Sequence, residues 1–213
     1  MSALTALLVR NFNVFNGGEG RALSNLFLGG PEGGAGTCPT SNASVVEHGN
    51  DLVGRRTEIT LSGTTITITD DAGVAQYGGV KIYDFPLGLI NVKSVIVSGL
   101  LTAGVTGTII DNWDGDVAVG TVTATTGSTL TSTEADILPS TAVSAGASDK
   151  IGVVTAFPVP TALTESGARW LNGTATAIDA FLNFLIDDDA THTTGTATFA
   201  GKVIINWTNE GTV

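Results

Sequence analysis

The strongest constraint on the fold is the alternation of apolar and polar residues in segment 57–70, TEITLSGTTITITD. If Ser62 and Gly63 form a two-residue turn, Ile59 faces Ile66, and the apolar side chains of both halves lie on one face. Such alternation is typical of a half-buried antiparallel strand pair. The segment therefore predicts a β-hairpin whose core-facing side carries Thr57, Ile59, Leu61, Thr64, Ile66 and Ile68.

Apolar runs bounded by glycine, proline or polar residues predict further strands. They lie at 80–85, 89–101, 106–111, 117–126 and 151–157. Within the second run the alternation breaks near Lys93 and Ser94, and a β-bulge at that point would restore it.

The C-terminal segment 175–209 allows two interpretations. Ile178, Phe181 and Leu185 have helical spacing, but a polar turn and a plainly alternating strand follow. We favour a strand that pairs directly with the last one. The last strand should bury one face, formed by Phe199, Val203, Ile205 and Trp207.

Composition limits the classes of partner. Charged residues make up 14% of the chain, against roughly 25% in ordinary soluble domains. The net charge is −11, and because residues 1–56 contain as many bases as acids, it lies in residues 57–213. So acidic a body would repel phosphate backbones, which argues against nucleic-acid binding. The single cysteine, Cys38, and the lack of a run of roughly 18 apolar residues indicate folding in a reducing cytoplasm without a membrane partner.

The N-terminal segment differs from the rest of the chain. Apolar residues are frequent in 1–16, and eight of the twenty residues in 17–36 are glycine. Such a segment has few side chains to bury, so it is either a flexible terminus or an arm that orders on a partner. If it is an arm, its larger side chains are the candidate partner-binding residues: Leu8, Phe12, Phe15, Arg21, Leu26 and Phe27.

An acidic cluster, DNWDGD at 111–116, is the clearest candidate metal site. Asp111, Asp114 and Asp116 could hold a structural calcium ion, although the spacing does not match an EF-hand loop. Aspartate and glycine are also the residues that tight turns prefer, so we favour a turn between two strands. A glycosidase carboxylate pair would need one buried acid, and nothing in this polar stretch indicates one.

Other candidate sites are weaker. The stretch LIDDDATH at 185–192 is typical of a solvated hairpin tip, and the chain has only two histidines. No nucleophile motif, phosphate loop or dinucleotide fingerprint is present, so we predict neither an enzyme nor a cofactor. Trp113 and Trp170 could stack on sugar rings, whereas Trp207 belongs to the apolar face of its strand.

Several stretches together resemble structural proteins of tailed-bacteriophage virions. They are QYGGVKIYDFPLGLINVKSVIV (76–97), DNWDGDVAVGTVTA (111–124), TEADILPSTA (133–142), LNGTATAIDAFLNFLIDDDAT (171–191) and KVIINWTN (202–209). The resemblance implies a capsid decoration (cement) protein on the outer surface of the capsid. Its partners would be the major capsid protein and further copies of itself, as a homotrimer around local three-fold axes.

The sequence thus predicts an all-β protein with two parts. Residues 57–213 would form an antiparallel jelly-roll-like sandwich, and residues 1–56 an extended arm that contacts partner subunits. The alternative function is that of a head-fibre, tail or adsorption protein whose β-sandwich binds host glycans.

Overall fold

The protein is all-β and antiparallel in a computed structural model that describes residues 36–38, 40–50, 54–71, 74–103, 114–143, 150–156, 170–187 and 194–211. Most of these residues lie in strands, and the only helical element among them is a 3-10 turn at Ser132–Glu134. Within the same ranges no helix is long and apolar enough to cross a membrane. The predicted fold class is therefore correct.

Ten strands form one sheet: β1 (Ala43–Asn50), β2 (Gly54–Asp71), β3 (Ala75–Asp84), β4 (Gly88–Ala103), β5 (Asp114–Gly120), β6 (Leu138–Val143), β7 (Lys150–Ala156), β8 (Trp170–Gly173), β9 (Asp179–Asp187) and β10 (Gly195–Asn209). They pair in the order β6-β5-β9-β3-β2-β10-β4-β7, while β1 adds to β2 and β8 adds to β4. The end strands β6 and β7 contact each other. The sheet is thus curled into a half-barrel, consistent with a jelly-roll-like sandwich.

The predicted hairpin at 57–70 is wrong, although its buried face is correct. Segment 57–70 runs through β2 as one strand, and Thr64 pairs with Phe199 while Ser62 pairs with Ala200. Gly63 is the extra residue of a β-bulge, with φ of +79°. A two-residue turn and a one-residue bulge both shift the alternation by one position, so they put the same side chains on the core face.

The bulge predicted at Lys93 is confirmed, because β10 pairs Asn206 with Ser94 and then Trp207 with Val92. The strand predicted for the front of 175–209 is also confirmed, as β9. Its predicted pairing with the last strand is wrong. β9 pairs with β3 and β5, whereas β10 lies between β2 and β4.

The sheet begins before the predicted boundary at residue 56. Strand β1 pairs with the first half of β2, and Thr37 forms an isolated bridge with Asp84 on β3. β3 pairs with β2 only over residues 75–78, and beyond them the two strands separate. Residues 36–50 fill the space between them and so belong to the body. Residues 1–35 lie outside the described residues.

The core lies on one face of the curled sheet. Trp207, Tyr83 and Phe85 are its largest aromatic members at the end where residues 36–50 enter. The Phe85 ring lies edge-on to both others, with centroid distances of 5.0 Å to Tyr83 and 5.2 Å to Trp207. The predicted apolar face of the last strand is confirmed, since all four of its residues are buried.

Candidate functional site

The predicted calcium ligands are only partly described. Asp114 and Asp116 belong to strand β5, so the turn predicted across 111–116 does not include them. The Asp116 carboxylate accepts a hydrogen bond of 2.6 Å from the Ser140 hydroxyl on β6. Asp111 lies outside the described residues. Among the residues that are described, no three His, Cys, Asp or Glu side chains are grouped closely enough to hold a metal ion, and the calcium site stays a prediction.

The candidate partner-binding residues of the arm also lie outside the described residues: Leu8, Phe12, Phe15, Arg21, Leu26 and Phe27. What the structure does describe is how residues 36–38 and 40 join the sheet. Thr37 exchanges two backbone hydrogen bonds with Asp84, of 2.7 and 3.1 Å. The Thr40 hydroxyl donates to the Lys81 carbonyl oxygen. The first described residues are therefore fastened along the free edge of β3.

A buried polar group reinforces this junction. The Glu47 carboxylate accepts hydrogen bonds from the Tyr83 hydroxyl and, at 2.8 Å, from the Arg55 guanidinium. The Gly36 amide donates to the Tyr83 hydroxyl oxygen at 3.0 Å and to Glu47 at 3.1 Å. The Glu47 and Arg55 side chains are only 9% and 13% exposed. Together with Trp207 these residues form what we call the anchor cluster.

Trp207 joins the anchor cluster to the main core. Its indole N–H donates to the Thr57 hydroxyl at 2.8 Å, and the Arg55 guanidinium carbon lies 5.5 Å from the ring centroid. That geometry is a cation–π contact. Burial, followed by the neighbouring Glu47 carboxylate, raises the pKa of Tyr83, so its hydroxyl stays protonated and donates. In the anchor cluster each described ionisable group thus has a partner, and these contacts hold residues 36–50 against the core.

Cys38 lies at the same junction and packs against the core. Burial raises the pKa of its thiol, and the Asp84 carboxylate raises it further. A raised pKa keeps the thiol protonated, whereas a nucleophilic cysteine needs a lowered one. The position of Cys38 therefore fits packing and does not fit catalysis.

A second polar group holds residues 121–137, which we call the covering loop, onto the outer side of β9. The buried Asn183 amide accepts a hydrogen bond from the Ala124 amide at 2.9 Å. It donates to the Val122 and Glu134 carbonyl oxygens, both at 2.8 Å. The Glu134 carboxylate in turn accepts from the amide and hydroxyl of Thr125, each at 2.8 Å. All these groups are occupied in holding the loop.

The covering loop also contains an unusual carboxylate. Asp136 accepts from the Thr121 amide at 2.8 Å and from the Thr121 hydroxyl at 2.7 Å. Burial nevertheless raises the pKa of Asp136. A raised pKa is also a property of general acids, but both oxygens of Asp136 are already used within the loop.

The two tryptophans that the structure describes differ as the sequence predicts. Trp207 is buried, whereas the Trp170 side chain on β8 is 50% exposed. Trp170 pairs with Asn91 on β4, which pairs with Thr208 on β10. The three side chains form one row across the outer face of the sheet, which we call the tryptophan row. Trp113 lies outside the described residues.

Sequence reasoning missed the residues that organise both junctions. Asn183 has a visible signal, because it is a lone amide inside the apolar run AFLNFLI. Glu47 has none, since its partners are 8 and 36 positions away and it lies in a segment predicted to be an arm. No protein-family model, curated protein or solved structure matches the chain.

Proposed function

We propose that this chain is a non-enzymatic structural protein of a tailed-phage virion that decorates the outer capsid surface and stabilises the shell. Support comes from the resemblance of the stretches between residues 76 and 209 to phage virion proteins, and from the antiparallel all-β body. Its partners are the major capsid protein and further copies of itself, as a homotrimer around local three-fold axes.

The observation that carries the proposal is how the N-terminal segment joins the body. Gly36, Thr37 and Thr40 are fastened to Tyr83 and to the edge of β3. A flexible terminus that binds nothing does not need to be attached to the sheet by hydrogen bonds at its end. A segment that holds the body on a shell does, because detachment at residues 36–40 would separate the body from the contacts that the segment makes. Residues 1–35 precede this attachment point and supply the contacts with the shell.

The test is a truncation that spares the junction. Deletion of residues 2–34 removes all six candidate arm residues but keeps Gly36 and its two hydrogen bonds. We expect the free energy of unfolding of the truncated protein to differ from that of the full chain by no more than roughly 0.5 kcal/mol, as is usual for changes at the surface. We expect it to lose binding to shells from which the protein has been stripped.

A milder variant, Phe12→Ala with Phe15→Ala, serves as a matched comparison with unchanged chain length. It should weaken shell binding without abolishing it, because only part of the apolar contact is removed. If the truncated protein still decorates shells at full affinity, the assignment of residues 1–35 as the docking arm is wrong.

The alternative is a head-fibre, tail or adsorption protein, and the half-exposed Trp170 favours it. Gel densitometry of purified particles separates the two. A decoration protein follows the symmetry of the shell and should be present in hundreds of copies, whereas a tail or fibre protein should be present in a few to tens. A copy number of a few to tens would therefore contradict capsid decoration and support the alternative function.

A further inference from the structure

The tryptophan row contains an unsatisfied polar group. Asn91 is 6% exposed, and its amide oxygen is buried without a hydrogen-bond partner among the residues that the structure describes. A buried acceptor without a donor costs roughly 1–3 kcal/mol, so such groups in native proteins call for an explanation. Paired residues of neighbouring strands have Cβ atoms about 4.5–5.5 Å apart. Asn91 and the half-exposed Trp170 are therefore neighbours on this face of the sheet.

The surroundings of Asn91 and Trp170 are polar and rich in acceptors. The Thr208 hydroxyl donates to the exposed Glu210 carboxylate at 2.7 Å. In the next row Asn172 pairs with Leu89, whose carbonyl oxygen accepts from the Glu210 amide at 2.9 Å. The outer face of β8, β4 and the end of β10 thus combines one aromatic surface with amide and carboxylate acceptors.

From this arrangement we propose that the face binds a neutral pyranose sugar, which stacks on Trp170 and donates a hydroxyl hydrogen bond to Asn91. A sugar ring offers an apolar C–H face to an aromatic ring and hydroxyl donors at its rim, and the Asn91 oxygen is the acceptor of this face that has no donor among the described residues. The Glu210 carboxylate and the net charge of −11 disfavour anionic sugars. Because the Asn91 oxygen is buried, a neighbouring side chain has to move before a sugar hydroxyl can reach it.

This site is independent of capsid decoration and deepens the alternative adsorption function. The test uses the purified full-length chain and the methyl pyranosides of glucose, galactose, mannose and N-acetylglucosamine, with methyl glucuronide as the anionic probe. Saturation-transfer NMR and tryptophan fluorescence report binding. We expect at least one neutral glycoside to bind with a millimolar dissociation constant and to change the tryptophan fluorescence.

Variants then assign the contacts. Trp170→Ala should weaken binding by about tenfold or more, and Trp170→Phe should retain part of it. Asn91→Ala should weaken binding several-fold without lowering the midpoint of unfolding, because it removes an unsatisfied acceptor. If Asn91 were purely structural, the Asn91→Ala substitution would lower the midpoint of unfolding. Leu87→Ala is the control, since Leu87 is 52% exposed and is not part of the row.

Four results would overturn the proposal. They are the absence of binding by every neutral glycoside, binding of methyl glucuronide alone, binding that survives Trp170→Ala, and a Trp170→Ala variant that alters only the oligomeric state. The last result would make the face a contact between copies of the chain. None of them bears on the copy number in particles, so failure of the sugar site and failure of capsid decoration are distinguishable.

Discussion

Two segments are held to the rest of the sheet by different kinds of polar group. At one end the anchor cluster fastens residues 36–50 with a carboxylate, Glu47, that accepts hydrogen bonds from Arg55 and Tyr83. On the outer side of β9, the covering loop is held by a neutral amide, Asn183, through three hydrogen bonds. Asn183 is distant in sequence from the whole loop that it holds, whereas Glu47 lies within its own segment and bonds to Tyr83 36 positions away.

The apolar surroundings differ as well. The anchor cluster lies against the main core and the large rings of Tyr83, Phe85 and Trp207. The covering loop contributes Ala124 and Leu130 to a smaller aliphatic cluster, which they form with Ala75, Ala118 and Leu185. A buried charge needs its partner, whereas an amide that loses its bonds leaves only neutral groups unsatisfied. The anchor should therefore tolerate substitution less well than the loop.

The largest effect is expected from Glu47→Ala. The change removes the carboxylate beside the Arg55 guanidinium and the acceptor of the Tyr83 hydroxyl. Breaking a buried ion pair on one side costs about 3–5 kcal/mol. Urea denaturation should show this loss in the free energy of unfolding.

Glu58→Ala is the matched control, because Glu58 forms its ion pairs with the half-exposed side chains of Arg56 and Lys202. Pairs of that kind contribute about 0–1 kcal/mol. Equal losses for the Glu47 and Glu58 variants would show that the anchor cluster is not a buried lock.

The next effect is expected from Asn183→Leu, which keeps the approximate shape of the side chain and removes its three hydrogen bonds. The Ala124 amide and two carbonyl oxygens then lose their partner, at about 1 kcal/mol or more each. We expect a total loss of about 3 kcal/mol, or local detachment of the covering loop. Hydrogen exchange should show faster exchange at residues 121–137 than in β10.

Asn172→Leu provides the comparison, because Asn172 is exposed and, within the described residues, its side-chain oxygen accepts from Thr174. It should change the free energy of unfolding by less than about 0.5 kcal/mol. If Asn183→Leu behaves the same way, the covering loop is held by its apolar contacts and not by the amide.

A smaller effect is expected from Gly63→Ala. Gly63 lies in β2 between the residues that pair with β1 and those that pair with β3, where residues 36–50 join the sheet. A Cβ at this position meets nothing within 4 Å, so only the positive φ opposes the change. The cost should be about 1–2 kcal/mol by thermal or urea denaturation. Gly63→Asn should cost less, because asparagine tolerates this conformation, and equal losses would contradict a backbone origin.

Sequence patterns predicted which face of a strand is buried better than which strand lies beside it. The faces of β2 and β10 and the bulge at Lys93 all follow from alternation, which is a local property. Pairing is not local. The turn residues Ser62 and Gly63 predicted a hairpin, and the proximity of β9 to β10 in sequence predicted a direct pair, but tertiary contacts gave each strand other neighbours.

The candidate site was predicted still less completely. The exposure of Trp170 and the burial of Trp207 were expected from their sequence neighbours. The role of residues 36–50 was not, because glycine-rich composition indicated an arm up to residue 56. What makes part of that segment structural is the partnership of Glu47 with Tyr83 and Arg55, and no local pattern encodes it.

The smallest effect concerns the pH dependence of the covering loop. Burial raises the pKa of Asp136, although the hydroxyl and amide of Thr121 oppose the shift. The unfolded chain has the ordinary aspartate pKa of about 3.9, so the folded protein holds this proton more tightly. The stability that Asp136 contributes is therefore fully present below the unfolded pKa and is lost as the pH rises through the folded one.

The substitution Asp136→Asn keeps an oxygen for the Thr121 amide and cannot ionise. We expect the free energy of unfolding of this variant, relative to the parent, to increase between pH 3 and pH 7 in urea denaturation. Thr121→Val removes a donor that lowers the pKa of Asp136, so in that variant the loss should extend to higher pH. A difference that stays constant or falls with pH would mean that Asp136 is not held by a buried loop. The pH dependence of the covering loop would then have to come from another group, and the neutral Asn183 would be expected to hold the loop equally at every pH.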